Sequence, residues 1–100
     1  MAKLIVIYEK PHDEEGFNTY YQSEHIPLVQ KMQGLKGASI HKVVQSMNTD
    51  LHLYVIAELE FDSVDSVLQS LGSPEGQAVQ HDVQNLMKYL NKPPIISITE

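Results

Sequence analysis

The sequence predicts an α+β protein: a four-stranded antiparallel sheet with helices on one face. Three observations predict it. Short runs rich in Val and Ile alternate with longer amphipathic stretches. Gly and Pro clusters fall between them. The resulting order is strand, helix, two strands, helix, strand, that is βαββαβ, which is the ferredoxin-like order.

Each element has a local reason. Ala2–Tyr8 is a compact apolar run and reads as a strand. "KPHDEEG" breaks it and offers Asp13 as N-cap, with Glu14 and Glu15 in the first helical turn. A helix is expected from there to about Met32, ended by "GLKG". Ala38–Gln45 and Leu51–Phe61 read as strands around the turn "SMNTD". The second alternates, with Leu53, Val55, Ala57, Leu59 and Phe61 on one face and Tyr54, Ile56, Glu58 and Glu60 on the other. Val64, Val67, Leu68 and Leu71 carry helical spacing in a short helix that Gly72 stops. Ser73 then caps a last helix with Pro74 at its first position, running to about Leu90. "NKPP" breaks again, and Pro94–Thr99 is the closing strand.

Composition narrows the function classes. The chain has 100 residues, which fits one domain spanning 1–100. The formal charge is −6 and the seven basic residues are all lysine, so a nucleic-acid partner has the wrong electrostatic footprint. No apolar run approaches the ~20 residues of a membrane helix, so no membrane partner is expected. There is no cysteine, which removes disulfides and thiolate chemistry and fits a cytoplasmic protein. The five histidines, His12, His25, His41, His52 and His81, lack the spacing of a helical metal motif, and no phosphate loop is present. No metal and no cofactor is expected.

Helices on one face leave the other face of the sheet without cover from this chain. The terminal strands are apolar on both sides, and Ile56 and Tyr54 add to the uncovered face. A second copy, sheet against sheet, would cover it, so a homodimer through the sheet face is expected.

The stretch "YYQSEHIPLV" carries the chemistry. At about 100° per residue, Phe17, Tyr21 and Leu28 share one helical face, Glu24 falls inside that arc, and Tyr20 and His25 flank it. Pro27 disfavours regular helix at the residue before it, so a kink or break is expected near His25 and Ile26. Such a break would let His25 line a pocket. The alternative is that Glu24 and His25 bond each other and water at a helix end. In the last helix, Val79, Val83, Leu86 and Leu90 form a stripe with Asp82 at its edge and His81 further round. The two helices pack side by side in this order of elements, so His25 and Asp82 can meet at their seam.

Two motifs carry a family resemblance that spans the chain. They are F-x-x-Y-Y-x-x-x-H-x-P-L at Phe17 to Leu28 and S-P-E-G-Q-A with a following Asp at Ser73 to Asp82. With "LYVIAELEF" between them, the sequence resembles the EthD family of the dimeric α/β-barrel superfamily. The resemblance implies a ferredoxin-like protomer that dimerises through its sheet, and Tyr21, His25, Tyr54 and Asp82 as its characteristic polar positions. Gln33 before Gly34, and Lys10 after Glu9, are small departures. The lack of arginine speaks against an anionic ligand.

The resemblance also implies an apolar barrel pocket that positions a small organic molecule. The family's founding member is associated with ethyl tert-butyl ether degradation. Relatives look like polyketide dehydratases or decarboxylases, and the wider superfamily contains cofactor-free monooxygenases. Two functions follow. One is a cofactor-independent lyase or monooxygenase with His25 as general acid or base, Asp82 orienting it, and Tyr21 and Tyr54 binding substrate. The other is a non-catalytic accessory or binding protein in which the same residues are structural.

Overall fold

A computed structural model describes residues 1–100. It contains strands β1 (Ala2–Glu9), β2 (Gly37–Lys42), β3 (Leu53–Phe61) and β4 (Ile95–Thr99). Between β1 and β2 the chain makes helix α1 (Glu14–Tyr20), a π-helical turn (Tyr21–His25) and helix α2 (Ile26–Val29). Helices α3 (Val64–Gly72) and α4 (Pro74–Leu86) join β3 to β4. The sheet order is β2-β3-β1-β4 with every pair antiparallel, the ferredoxin-like arrangement the sequence predicts.

The caps form where the residue types allow. Asp13 accepts from the Gly16 N–H at 3.0 Å and Ser63 accepts from the Ser66 N–H at 3.1 Å. Ser73 accepts from the Gly76 N–H at 3.1 Å and donates its hydroxyl to Ser70 O at 2.6 Å. These two hydrogen bonds tie the start of α4 to the end of α3. At Gly76 the approach is so close that an added Cβ would lie 1.9 Å from Ser70 O. Two elements end earlier than their apolar patterns suggest: β2 stops at Lys42, and α4 stops at Leu86. Beyond Lys42, Val44 and Met47 are exposed and no longer have a sheet face to bury against.

Two apolar clusters fill the space between sheet and helices. One gathers Leu4, Val29, Met32, Leu59, Phe61 and Val67. The other is aromatic and joins Tyr8, Phe17, Tyr21 and Tyr54 to Leu86. Val6 packs against both.

The alternation read along β3 holds from Val55 to Phe61 and fails at Tyr54. The β1–β3 register pairs Tyr8 with Val55 but Glu9 with Leu53, so one extra residue of β3 sits at a bulge. Consecutive residues Tyr54 and Val55 therefore both enter the aromatic cluster on the helix side. Tyr54 does not belong to the outer face with Ile56, contrary to the strand pattern.

The outer face carries an apolar row across three strands. Ile7 lies between Ile56 and Ile95 in the register, with Ile5 one step along β1. Beside the row, Glu58 pairs with Lys3 Nζ at 3.1 Å and with His41 Nε2 at 2.8 Å. The helices pack on the opposite face, where Leu4, Leu59 and Phe61 point.

Candidate functional site

The first helical region bends its ladder without breaking. Pro27 has no N–H, and in a regular α-helix its ring would press on the carbonyl of Ser23, four residues back. The chain widens by one residue instead, and the Ile26 N–H reaches back five positions to Tyr21 O. The wider turn changes which residues face inward. Tyr21, His25 and Val29 are buried, while Glu24 turns to solvent. The apolar arc thus loses its misplaced carboxylate, and the pairing of Glu24 with His25 is replaced by a partner from α4.

That partner is Asp82. His25 Nδ1 lies 2.9 Å from Asp82 Oδ2, and the two residues are 3% and 7% exposed. The other carboxylate oxygen accepts from the Tyr20 hydroxyl at 2.6 Å and from Asn85 Nδ2 at 2.8 Å. Burial pushes the Asp82 carboxyl up, but hydrogen bonds from Tyr20, Asn85 and His25 outweigh it and hold it below its ordinary range. Burial pushes the His25 imidazole down and outweighs the upward pull of the Asp82 hydrogen bond and charge. The pair at neutral pH is thus a carboxylate and a neutral imidazole. An anionic acceptor at Nδ1 fixes the proton there and leaves Nε2 as a bare lone pair.

His25 forms part of the wall of a cavity of about 200 Å³ between the two core clusters. The wall is mostly aliphatic, with Leu4, Val6, Leu59 and Ile96 from the sheet and Val29 and Val83 from the helices. The polar groups buried in it are the side chains of His25, Tyr21 and Tyr8. The Tyr21 ring stacks on the imidazole, with centroids 5.5 Å apart. It meets the Tyr8 ring edge-on at 5.4 Å. Burial pushes both phenols well above the ordinary range, with Tyr21 and Asp82 adding to the effect at Tyr8.

The structure therefore brings together three of the four residues singled out in the sequence. Tyr54 is not among them. Its hydroxyl donates to Asn18 Oδ1 at 2.9 Å, and its ring packs against Phe17. It borders a separate polar depression beside Lys10, Lys42 and His52, away from the apolar cavity. Tyr8 and Asn85 carry no functional signal in the sequence, and Tyr20 shows there only as a flank of the apolar arc. Tyr8 reads there as one more core residue of β1, and only through-space packing reveals its polar end. Tyr20 and Asn85 sit at positions where a surface residue is expected. The cavity itself lies on the helix side of the sheet and is lined by this chain alone.

No group of three or more His, Asp or Glu side chains comes together in the fold to hold a metal ion. No helix is long and apolar enough to cross a membrane.

Fold and site together define a ferredoxin-like α+β protein with a buried His–carboxylate pair at an apolar cavity. The chain matches the EthD domain over residues 9–88 and belongs to the EthD family. It is 33% identical over 85 residues to an uncharacterised 11.0 kDa protein from the thcB–thcC intergenic region of Rhodococcus erythropolis, covering 85% of this chain and 82% of that protein. It superposes on the crystal structure of an EthD (ethyl tert-butyl ether d) family protein of Bacillus halodurans with a TM-score of 0.87 and 32% identity, covering 100% and 97% of the two chains. A Bacteroides fragilis protein of ferredoxin-like fold, described as dimeric, shares the fold with a TM-score of 0.63 at 20% identity over 99% and 94% of the chains.

Proposed function

We propose that this EthD protein binds a small, largely apolar organic molecule in the cavity beside His25 and acts on it as a cofactor-independent lyase or oxygenase. The observation that carries the reading is the His25–Asp82 pair, buried, hydrogen-bonded through Nδ1 and set in the cavity wall. A histidine closed off from any cavity would favour a purely structural role. In the proposed step, Nε2 takes a proton from a C–H or O–H of the bound molecule. The electron pair left behind moves onto an oxygen of that molecule, and the Tyr21 hydroxyl donates to it. The imidazolium formed is stabilised by the adjacent Asp82 carboxylate. The resulting anion can form a C=C bond as it expels a leaving group that takes the proton back from the imidazolium, as in a lyase, or add dioxygen at carbon to give a peroxide that takes that proton, as in an oxygenase. Asp82 positions the base, and Tyr54 has no part in this chemistry.

The same reading includes a homodimer through the outer sheet face. It is supported by the Ile56–Ile7–Ile95 row and by the dimeric description of the Bacteroides fragilis neighbour. A standard interface buries about 800 Å² per partner.

The test starts from protein purified without added ligand. Native mass spectrometry identifies the retained molecule, and its turnover is compared in wild type and His25→Asn. The asparagine keeps a donor for Asp82 but offers no base. General-base loss is expected to lower turnover by about 100-fold or more. Unchanged turnover in the folded variant refutes the assignment.

A further inference from the structure

The cavity holds more polar capacity than one proton transfer needs. Tyr20, behind the His25–Asp82 pair, gives its hydroxyl to Asp82, and Tyr54, outside the cavity, gives its hydroxyl to Asn18. Tyr8 and Tyr21 give theirs to nothing in the chain. Both residues are at least nine-tenths buried, 1% and 3% exposed, and both line the cavity. Their hydroxyls are not sealed into packed protein, since the buried side-chain oxygen without a partner in this fold is Ser70 Oγ. Two hydroxyls of the cavity wall thus have no hydrogen-bond partner in the chain. A buried donor left unpaired is unfavourable, so the arrangement fits a ligand that supplies the missing oxygen.

The charge of that ligand is constrained as well. None of the seven lysines lines the cavity, and there is no arginine. The nearest full charge is the Asp82 carboxylate, one imidazole away from the chamber. An anion placed there would lose its hydration, meet no cation and face a like charge. The Tyr8 and Tyr21 hydroxyls stay protonated at any ordinary pH, so they act as donors. At about 200 Å³ the chamber lies below the usual range of about 300–1,000 Å³ for drug-sized ligands.

We propose that Tyr8 and Tyr21 form a two-donor clamp for the oxygen of an uncharged small molecule, a ketone, aldehyde or ester, and that the cavity rejects the corresponding carboxylates. This rests on the reading that the His25 cavity is the ligand site, and it adds Tyr8 and the ligand class to that reading.

Acetophenone and benzoate make a matched probe pair, similar in shape and different in charge. Their affinities are measured by NMR titration of the full chain. Acetophenone labelled with ¹³C at the carbonyl also reports the clamp directly, because hydrogen bonding moves that resonance downfield. Expected are binding of acetophenone, at least tenfold weaker binding of benzoate, and a downfield carbonyl shift on binding. Tyr8→Phe and Tyr21→Phe should each weaken acetophenone about tenfold, and Tyr54→Phe should leave it unchanged. Benzoate binding as tightly as acetophenone overturns the proposal, as does a carbonyl resonance that does not move in the bound wild type. The carbonyl measurement needs no variant, so a tyrosine variant that fails to fold leaves the proposal testable. Acetophenone affinity indifferent to both tyrosines, alongside turnover that depends on His25, sinks the clamp and spares the base. Acetophenone gripped by both tyrosines, alongside turnover indifferent to His25, sinks the base and supports the clamp. No acetophenone binding by folded wild type up to its solubility limit overturns the ligand class.

Discussion

Replacing Asp82 with alanine asks what holds His25 in place. The carboxylate accepts from three donors, and the variant removes all three bonds at once. The losses are not equal. Tyr20 is half-buried and Asn85 is exposed, so both donors can turn to water. His25 is 3% exposed and cannot. Its Nδ1–H is left unpaired, at a cost of about 1–3 kcal/mol. Removing a buried carboxylate also relieves its own desolvation, which places the expected loss toward the lower end of that range. In a chain of this size, 1 kcal/mol shifts Tm by about 4–8 °C, so a fall of about 4 °C or more is expected. The assay is thermal unfolding at pH 8, at one fixed protein concentration because any oligomer makes Tm concentration-dependent. Imidazole ¹⁵N shifts read the second consequence. Wild type should carry its proton on Nδ1, and the variant should lose that preference. A variant that melts within about 1 °C of wild type and keeps the Nδ1–H tautomer refutes Asp82 as the positioning group.

Four further outcomes are expected. His25 has a folded pKa below its ordinary 6.5, so the unfolded chain binds more protons in that window; its contribution to stability is present above pH 6.5 and is lost as pH falls through the folded value. Asp82, lowered from 3.8, adds a second loss at more acid pH, and a urea midpoint that is flat from pH 8 to pH 5 contradicts the His25 part. Gly76→Ala should be strongly destabilising, because its Cβ meets backbone at Ser70 and Leu71 that cannot move aside without opening the α3–α4 corner, and a Tm equal to wild type rules this out. Ser70→Ala should be neutral or stabilising, since it removes a buried hydroxyl without a partner, and a loss above about 1 kcal/mol would show that the hydroxyl is paired after all. Ile7→Lys places a charge at the centre of the isoleucine row; sedimentation should give a species near the 11.3 kDa chain mass, against a dimer for wild type, and a monomeric wild type removes the interface altogether.

Much of this protein is legible along the chain because the physics that sets it is local. Asp13 and Ser73 cap the helices that they announce, and the Val- and Ile-rich runs become the four strands in the expected order. His25 and Asp82 stand out for the same reason: each is a polar residue at the edge of an apolar stripe, on two helices that this order of elements sets side by side. The chain also shows, at Pro27, that the first helix cannot run on regularly. What the chain does not show is how the irregularity resolves. A break and a π-turn are equally compatible with one missing N–H, and only packing against the sheet and α4 selects the turn that sends His25 inward and Glu24 outward. Tyr54 illustrates the same limit from the other side. Its place in the alternating pattern assigns it to the outer face, but a bulge depends on pairing with a strand some 45 residues away in sequence. Tyr8 is indistinguishable in sequence from any core residue of a strand, because the pattern records that a side chain is buried and not what its hydroxyl faces. Local periodicity singles out His25 and Asp82, the family resemblance adds Tyr21 and Tyr54, and the cavity, its two free donors and its lack of positive charge come from tertiary packing, which alone determines which buried groups meet and which are left without a partner.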